Sequence, residues 1–236
     1  IIVLSAGFEE KLREWGYEGR VVVVTTTIDP ALLDAFCAED KIEELRKASS
    51  LKILFLSRLV KEKGIYETLR AFQSLRKAYP TAELFVAGDG PEYNNLCMQT
   101  AHMEGVTLTG HVAGNEKNEL LSKSHIYCLP SYTEGLPTSV LEAMAFGIPV
   151  VTTAVGGLRD FFKDPEMGSF VDLEKPGDLA DKLGQLLANK DRRLAVGKFN
   201  LKFAQAHLMA PTIALRLKAL CMESMGTPAP SKEKVK

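Results

Sequence analysis

Short runs of Val, Ile and Leu alternate along the chain with stretches of helical periodicity. The runs are continuous, without polar residues at every second position, which is typical of parallel strands buried on both faces. They predict strands at 1–4, 21–24, 52–56, 83–87, 106–108, 126–129, 149–152 and 169–171. Helices are predicted at 8–15, 65–79, 93–103, 117–122, 138–146, 179–187, 191–206 and 207–222. This order indicates an α/β fold with a doubly wound, Rossmann-like parallel sheet.

The same pattern divides the chain unevenly. The first strand–helix–strand unit, 1–28, is too small to bury a core of its own and is interpreted as the remnant of an N-terminal domain. The charged segment 29–50 is predicted to be an inter-domain linker or a solvated helix. The main domain is predicted over 51–200 and a C-terminal helix over 201–225. A polar, Pro-containing tail, 226–236, is predicted to be disordered.

Composition narrows the class of protein. Among 236 residues, 29 Lys and Arg balance 30 Asp and Glu, and this near-zero net charge argues against a broad nucleic-acid surface. No apolar stretch approaches the roughly 20 residues that span a bilayer. The four cysteines lack zinc-site spacing, so free thiols in a reducing compartment are predicted. Because the chain begins inside an apolar run without Met, we expect it to be a piece of a longer protein.

The segments that follow the strands carry the candidate chemistry, because ligands of parallel sheets bind beyond the carboxyl ends of the strands. Arg58 and Lys63 follow the strand predicted at 52–56, and Gly64 opens the next helix. Two cations beside a helix start suit a diphosphate. The alternative is a surface turn whose charges are incidental.

Two carboxylates are the next candidates. Glu134 is predicted on a loop and Glu142 inside the following helix, whose start over Leu136–Val140 directs backbone N–H groups at the crevice. An anion bound at that helix start is stabilised by the helix itself. The alternatives are an exposed loop acid for Glu134 and a capping box from Ser139 to Glu142.

Glycine pairs mark two further strand ends. Gly88 and Gly90 do not form the dinucleotide fingerprint, since Tyr93 stands where its third Gly would be, and this disfavours nicotinamide or flavin. They, like Gly156-Gly157, predict either a tight turn or a close approach of backbone to a ligand. No phosphate-binding P-loop, nucleophile elbow or Asp-x-Asp pair is present. The histidines are interpreted as structural or surface residues, with His111 as the exception because it leaves a strand end.

Taken together, these segments resemble the retaining nucleotide-sugar glycosyltransferases of the GT-B fold, family four, also called group 1 glycosyl transferases. The resemblance covers about 51–187 and matches the C-terminal, donor-binding domain. The segments that carry it are Ser57-Arg58-Leu59 with Lys63-Gly64, Ala87–Pro91, Leu129–Pro137, Leu141–Val151 and Gly156-Gly157. Two positions depart from the family pattern: Thr26-Thr27 stands in place of Asn-Gly, and Asp160 in place of Glu.

The resemblance implies a role for each candidate. Arg58 and Lys63 hold the donor diphosphate and Glu134 faces the donor sugar, so these three are the expected catalytic residues. Glu142 accepts hydrogen bonds from the ribose hydroxyls. The other donor-binding residues implied are Val112 at the base, Lys117 as added charge, Gly88 and Gly90, and the backbone of Gly135, Leu136, Pro137, Thr138, Ser139 and Val140. No metal and no cofactor are expected, because Arg58 and Lys63 supply the positive charge.

The implied partners are a nucleotide sugar and a saccharide or lipid-linked acceptor, the latter through the absent N-terminal acceptor domain; no nucleic acid is expected. The implied location is the cytoplasm or, with peripheral association of the full-length protein, the cytoplasmic face of a membrane. Polysaccharide biosynthesis is the implied process, and the fragment alone is expected to be inactive. Two alternatives remain open: a non-catalytic nucleotide-sugar-binding module and a nucleotide-sugar epimerase.

Overall fold

A six-stranded parallel sheet forms the centre of the computed structural model, which describes residues 1–225. The strands are β1 (Ile2–Val3), β2 (Val22–Val23), β3 (Lys52–Leu56), β4 (Glu83–Ala87), β5 (Val106–Gly110), β6 (Ile126–Leu129), β7 (Val150–Thr153) and β8 (Gly168–Val171). The central sheet has the order β5-β4-β3-β6-β7-β8, and β1 pairs with β2 separately. The predicted α/β Rossmann-like class is confirmed. The tail predicted to be disordered, 226–236, lies outside the described residues.

Helices connect the strands, and between β7 and β8 there is a short helix that the sequence did not predict. They are α1 (Ala6–Glu14), α2 (Ala38–Lys47), α3 (Ile65–Leu75), α4 (Tyr93–Thr100), α5 (Gly114–Ser122), α6 (Thr138–Ala145), α7 (Leu158–Phe161), α8 (Asp178–Ala188), α9 (Lys190–His207) and α10 (Ala210–Ser224), with 3-10 turns at Pro30–Leu33 and Lys61–Lys63. Within residues 1–225, none of these helices has the length and apolar character needed to cross a membrane.

All six strands are parallel, but the order in which the chain adds them to the sheet changes direction once. The chain runs outward from β3 through β4 to β5, then returns to place β6 on the other side of β3 and continues to β7 and β8. Ile53 of β3 pairs with Ile126 of β6 at this junction. In open parallel sheets ligands bind beside such a reversal, at the carboxyl ends of the strands. We call the region beyond the ends of β3 and β6 the central crevice.

Both faces of the sheet are covered. The β3 residues Ile53, Leu54 and Phe55 are fully buried although they point to alternate faces, which explains the continuous apolar run. Helix α3 packs on α8, and α6 packs on α9. The helix predicted over 65–79 ends four residues early at Leu75; Arg76 Nη1, just beyond it, donates to the carbonyl of Ala82 at 3.1 Å and so holds the turn that leads to β4.

The charged segment before β3 contains a helix that packs on one face, and not the solvated helix that its composition indicated. Helix α2 packs on α9, and it buries Leu45 completely and Lys41 to 2% exposure. Lys41 Nζ donates to the carbonyl of Ser122 at 2.5 Å and to that of Ser124, and so satisfies carbonyl groups at the end of α5. One narrow face of a charged helix is enough to anchor it.

The C-terminal helices connect the main sheet to the first strand–helix–strand unit. Ile28 N donates to Leu208 O at 2.8 Å, and Ala210 N donates to Ile28 O at 2.9 Å. Arg216 of α10 donates from Nη2 to the carbonyl of Val23 at 3.1 Å. Helix α9 runs without a break through residue 200, where the sequence predicted the main domain to end. Helix α10 therefore returns to the unit formed by β1, α1 and β2.

His125 makes fold stability depend on pH. It lies before β6 with its side chain 3% exposed, and its Nδ1 accepts a hydrogen bond from Lys52 N at 3.0 Å. Burial, and then the charges of Lys41, Lys52 and Arg193, lower the pKa of His125 to about 3 from about 6.5. Because the unfolded chain binds this proton at higher pH, stability is full above pH 6.5 and is lost as pH falls toward 3.

We expect the free energy of unfolding to fall by about 2 kcal/mol between pH 7 and pH 5 through this one group. Urea unfolding across that range measures it. His125→Asn, which keeps an acceptor near the Nδ1 position, should flatten the slope, whereas His102→Asn at an exposed position controls for loss of a histidine. A slope unchanged by His125→Asn would assign the acid sensitivity to other groups.

Candidate functional site

The loops after β3 and β6 meet through their backbones in the central crevice. A Cβ on Gly64 would lie 2.1 Å from the carbonyl oxygen of Pro130, and Gly64 has φ +74°, so only glycine fits. Tyr132 N donates to Glu62 O at 2.8 Å between the same loops. This contact brings Lys63 Nζ to 2.7 Å from Glu134 Oε2. Two residues that the sequence placed on separate strand ends thus form one ion pair.

Glu134 is held on both carboxylate oxygens. Its side chain is 8% exposed, and Ser131 Oγ donates to Oε1 at 2.6 Å while Lys63 occupies Oε2. The interpretation of Glu134 as an exposed loop acid is therefore wrong, although its position on a loop is confirmed. Ser131 was not predicted as a site residue. Its position three residues before Glu134 could have indicated a hydroxyl donor to that carboxylate.

The loop after β7 supports the Glu134 loop from the other side. Gly157 N donates to Gly135 O at 2.6 Å. A Cβ on Gly156, which has φ +53°, would lie 2.2 Å from Glu134 O. The glycine pair therefore packs one loop on another, which supports the tight-turn interpretation for these two residues.

Helix α6 begins at residue 138, as the helical periodicity predicted, which is two residues into the segment 136–140 that was expected to form the helix start. It starts at Thr138 with Pro137 as the N-cap, so Leu136 and Pro137 precede the helix, and Val140 N already donates to Pro137 O at 3.1 Å. Proline carries no N–H. By helix geometry, the N–H groups of Thr138 and Ser139 are the ones without an acceptor inside the helix. They are the groups of this helix start that can meet an anion.

Glu142 forms an ion pair with Lys117 of α5. Lys117 Nζ lies 2.8 Å from Glu142 Oε1, and the two side chains are 24% and 20% exposed. No side chain caps α6, and Ser139 lies inside the helix, so the alternative of a Ser139–Glu142 capping box is wrong. Lys117, which the resemblance implied as added charge, thus lies beside the candidate residue Glu142. Because both side chains are partly exposed, the pair remains accessible to a ligand.

The remaining predicted side chains and glycines lie on the loops that follow β3, β4 and β5. Arg58 is exposed directly after β3. Val112 is buried, with 6% exposure, so the exposed positions of its loop are His111 and Ala113. Gly88 and Gly90 lie against the backbone of the β3 loop. Within residues 1–225, no group of three or more His, Cys, Asp and Glu side chains is placed to hold a metal ion.

Asp160 joins the first unit to the site loops. Its Oδ2 accepts a hydrogen bond from Ala6 N, the first residue of α1, at 2.7 Å. A carboxylate is favoured at a helix N-terminus. Phe8 of α1 also approaches Gly135, since its ring lies 3.9 Å from where a Cβ on Gly135 would be. The acid that departs from the family pattern thus makes a short contact to α1.

We expect Asp160→Ala to loosen α1 without lowering the melting temperature of the main sheet. Amide hydrogen exchange in α1 should accelerate about fivefold, because losing a helix cap costs about 1 kcal/mol of local stability and exchange follows local opening. Asp160→Asn keeps an acceptor oxygen and should show a smaller change. Equal exchange in all three proteins would mean that Asp160 does not anchor α1.

Comparison with solved structures defines the class first. The sucrose-phosphate synthase of Thermosynechococcus elongatus superposes with a TM-score of 0.78 over 95% of this chain and 58% of that chain, at 24% identity. Anabaena Alr3699/HepE in complex with UDP-glucose gives 0.77 over 94% and 63%, at 18% identity. At these identities the likeness establishes the fold, which is that of GT-B glycosyltransferases.

The family follows from sequence comparison. The model of glycosyl transferases group 1 matches residues 38–203, and the chain belongs to that family. A putative teichuronic acid biosynthesis glycosyltransferase, TuaC, of Bacillus subtilis is 39% identical over 129 residues, 52% of this chain and 31% of the relative. A GDP-mannose-dependent phosphatidylinositol monomannoside mannosyltransferase of Mycobacterium tuberculosis is 32% identical over 189 residues, 74% and 49% of the two chains. The chain thus spans about half the length, or less, of these relatives.

Proposed function

We propose that this chain is the donor-binding part of a retaining glycosyltransferase, which moves a sugar from a nucleotide-diphosphate sugar to a saccharide or lipid-linked acceptor. The observation that carries the proposal is the Lys63–Glu134 ion pair, assembled in the central crevice beside the start of α6. Relatives of the same fold were solved with UDP and glucose and with UDP and GlcNAc. These complexes support a nucleotide sugar as the ligand class.

The proposed roles follow from the charges at the crevice. The exposed guanidinium of Arg58 and the N–H groups of Thr138 and Ser139 meet the diphosphate. Lys63 lies between the diphosphate and Glu134, and Glu142, steadied by Lys117, accepts from ribose hydroxyls. A neutral hydroxyl that donates to a paired carboxylate does not separate its charges, so Glu142 can bind ribose without losing Lys117.

The proposed reaction breaks the bond between the anomeric carbon and the diphosphate oxygen. The acceptor oxygen forms its bond to that carbon on the same face, and the acceptor proton passes to the departing phosphate oxygen. Negative charge on the diphosphate grows as the first bond breaks, so fixed cations and helix N–H groups stabilise the transition state more than the ground state. Glu134, held by Ser131 and Lys63, faces the sugar on which positive charge develops.

Calorimetry with UDP-glucose, GDP-mannose and ADP-glucose tests the proposal on this chain. We expect at least one to bind, and the matching nucleoside diphosphate to bind through the same residues. Binding to none of them would overturn the assignment. Product analysis separates the other functions, because an epimerase would change the donor sugar without any acceptor.

A further inference from the structure

A second concave surface lies along the same edge of the sheet, toward β8. It is a cavity of about 650 Å³ at the carboxyl ends of β6, β7 and β8. We call it the β8 cleft and define it by six lining residues: Tyr132, Arg159, Phe170, Asp172, Glu174 and Lys182. Arg58, Lys63, Glu134 and Glu142 do not line it. Its volume falls within the range of roughly 300–1,000 Å³ found for small-molecule sites.

An exposed aromatic ring forms part of the cleft wall and is fixed in place. Tyr132 is 55% exposed, yet its Oη donates to Glu67 Oε1 at 3.0 Å and its backbone N donates to Glu62 O at 2.8 Å. Phe170, half-buried, adds a second ring that packs on Phe162 with centroids 4.8 Å apart. Ordered aromatic rings present apolar faces that suit the C–H faces of sugar rings.

The charged groups of the cleft are balanced in sign. Three cations, from Arg159, Lys175 and Lys182, face three carboxylates, from Asp172, Glu174 and Asp178. Within the described part of the chain, the one ion pair that any of them makes joins Lys175 to Asp172 at 3.2 Å. Half-buried Lys182 and exposed Glu174 are thus both left to bind a ligand.

The mixture of cations and carboxylates in the β8 cleft favours one class of ligand over another. A nucleoside diphosphate would gain no net attraction from the cleft, because three carboxylates offset its three cations. A sugar hydroxyl both donates and accepts, so neighbouring cations and carboxylates can bind one neutral saccharide together. The exposed ring and the balanced charge therefore favour the same ligand.

We propose that the β8 cleft is a binding site for a neutral oligosaccharide, separate from the nucleotide site. Ser131 connects the two sites, because it lines the cleft and donates its hydroxyl to Glu134 Oε1 at 2.6 Å. The cleft binds its saccharide whether or not a nucleotide is present. The proposal therefore stands independently of the proposed transfer reaction.

Maltotriose, mannotriose and a galacturonic acid trisaccharide are the probes, with binding followed by chemical shift perturbation at millimolar concentration. We expect a neutral trisaccharide to perturb residues around Tyr132 and Phe170. Tyr132→Ala and Lys182→Met should each weaken it roughly three- to tenfold. Tyr132→Phe keeps the ring and should retain binding, and Lys202→Met controls for the loss of an exposed lysine.

Two outcomes overturn the site: no binding of any neutral trisaccharide, or binding unchanged in both Tyr132→Ala and Lys182→Met with melting temperatures equal to the parent. Preferred binding of the acidic trisaccharide would overturn the assignment to neutral sugars. UDP titrations distinguish this proposal from the transfer function, because UDP binding should survive Tyr132→Ala and saccharide binding should survive Lys63→Met. Saccharide binding by a chain that binds no nucleotide would sustain the cleft and remove the proposed function.

Discussion

Replacing Lys63 by Met is expected to weaken the binding of UDP, GDP or ADP, whichever the parent binds, by about 10- to 100-fold. The ammonium group lies 2.7 Å from Glu134, whose carboxylate is 8% exposed. Without Lys63 no cation offsets that carboxylate beside the diphosphate, so the site loses an attraction and gains a repulsion. Calorimetry on the parent and the variant measures the change.

A matched control lies two positions away. Lys61 occupies the same 3-10 turn but is exposed, so Lys61→Met removes an equal charge outside the ion pair. It should cost less than threefold, because exposed charges are screened by solvent and salt. An equal loss in both variants would mean that the overall charge of the loop, and not the position of Lys63, determines binding.

Glu134 provides the second half of this experiment. Glu134→Gln should leave binding of the nucleoside diphosphate unchanged or tighter, because Lys63 is then free for the phosphates. The double variant Lys63→Met, Glu134→Gln should recover part of the affinity lost in Lys63→Met, since the uncompensated carboxylate is gone. Strictly additive losses would contradict a coupled pair.

Replacing Gly88 by Ala is expected to destabilise the fold by about 3 kcal/mol or more. Gly88 has φ +135°, and an added Cβ would lie 1.9 Å from the carbonyl oxygen of Ser57. The clash is with backbone that cannot move aside, since Gly88 N donates to Gly110 O at 2.7 Å and Ser57 N donates to Ala87 O at 3.1 Å. Urea unfolding measures the loss.

Gly177→Ala separates the clash from the backbone conformation. Gly177 also has a positive φ, +88°, but an added Cβ there meets nothing within 4 Å. It should therefore cost only the conformational penalty of about 1–2 kcal/mol. The Gly88 variant also decides between the two interpretations of this turn: lost nucleotide binding at full stability would favour an approach to the ligand, whereas lost stability favours the turn.

Much of the site could be predicted from local sequence. Glu134 on a loop and Glu142 inside a helix follow from Gly135 and Pro137, which break any helix between them. The helix start at 138 follows from periodicity, whereas the segment 136–140 expected to present free N–H groups begins two residues early, because Leu136 suits a helix by composition and the N-cap at Pro137 depends on the loop before it. The ion pairs of Glu134 and Glu142 could not be predicted, since each joins residues from separate strand–helix units.

For the charged segment before the main sheet, the sequence analysis underestimated how much of the helix is buried. Its composition indicated a solvated helix, and the structure buries Lys41 and Leu45 against α9 and the end of α5. Whether one turn of a charged helix is covered depends on a neighbour far along the chain. The local sequence pattern does not indicate which distant helix will pack on α2.

By itself, the sequence determined the succession of strands and of most helices, the class of the fold and the loops that carry the candidate residues. Buried parallel strands are encoded by continuous apolar runs and tight turns by glycine, so both can be recognised within a short stretch of sequence. Only the tertiary structure decided that Lys63 pairs with Glu134, that Lys117 pairs with Glu142 and that Asp160 contacts α1. Those contacts depend on which strands are neighbours in the sheet, and long-range packing sets that order.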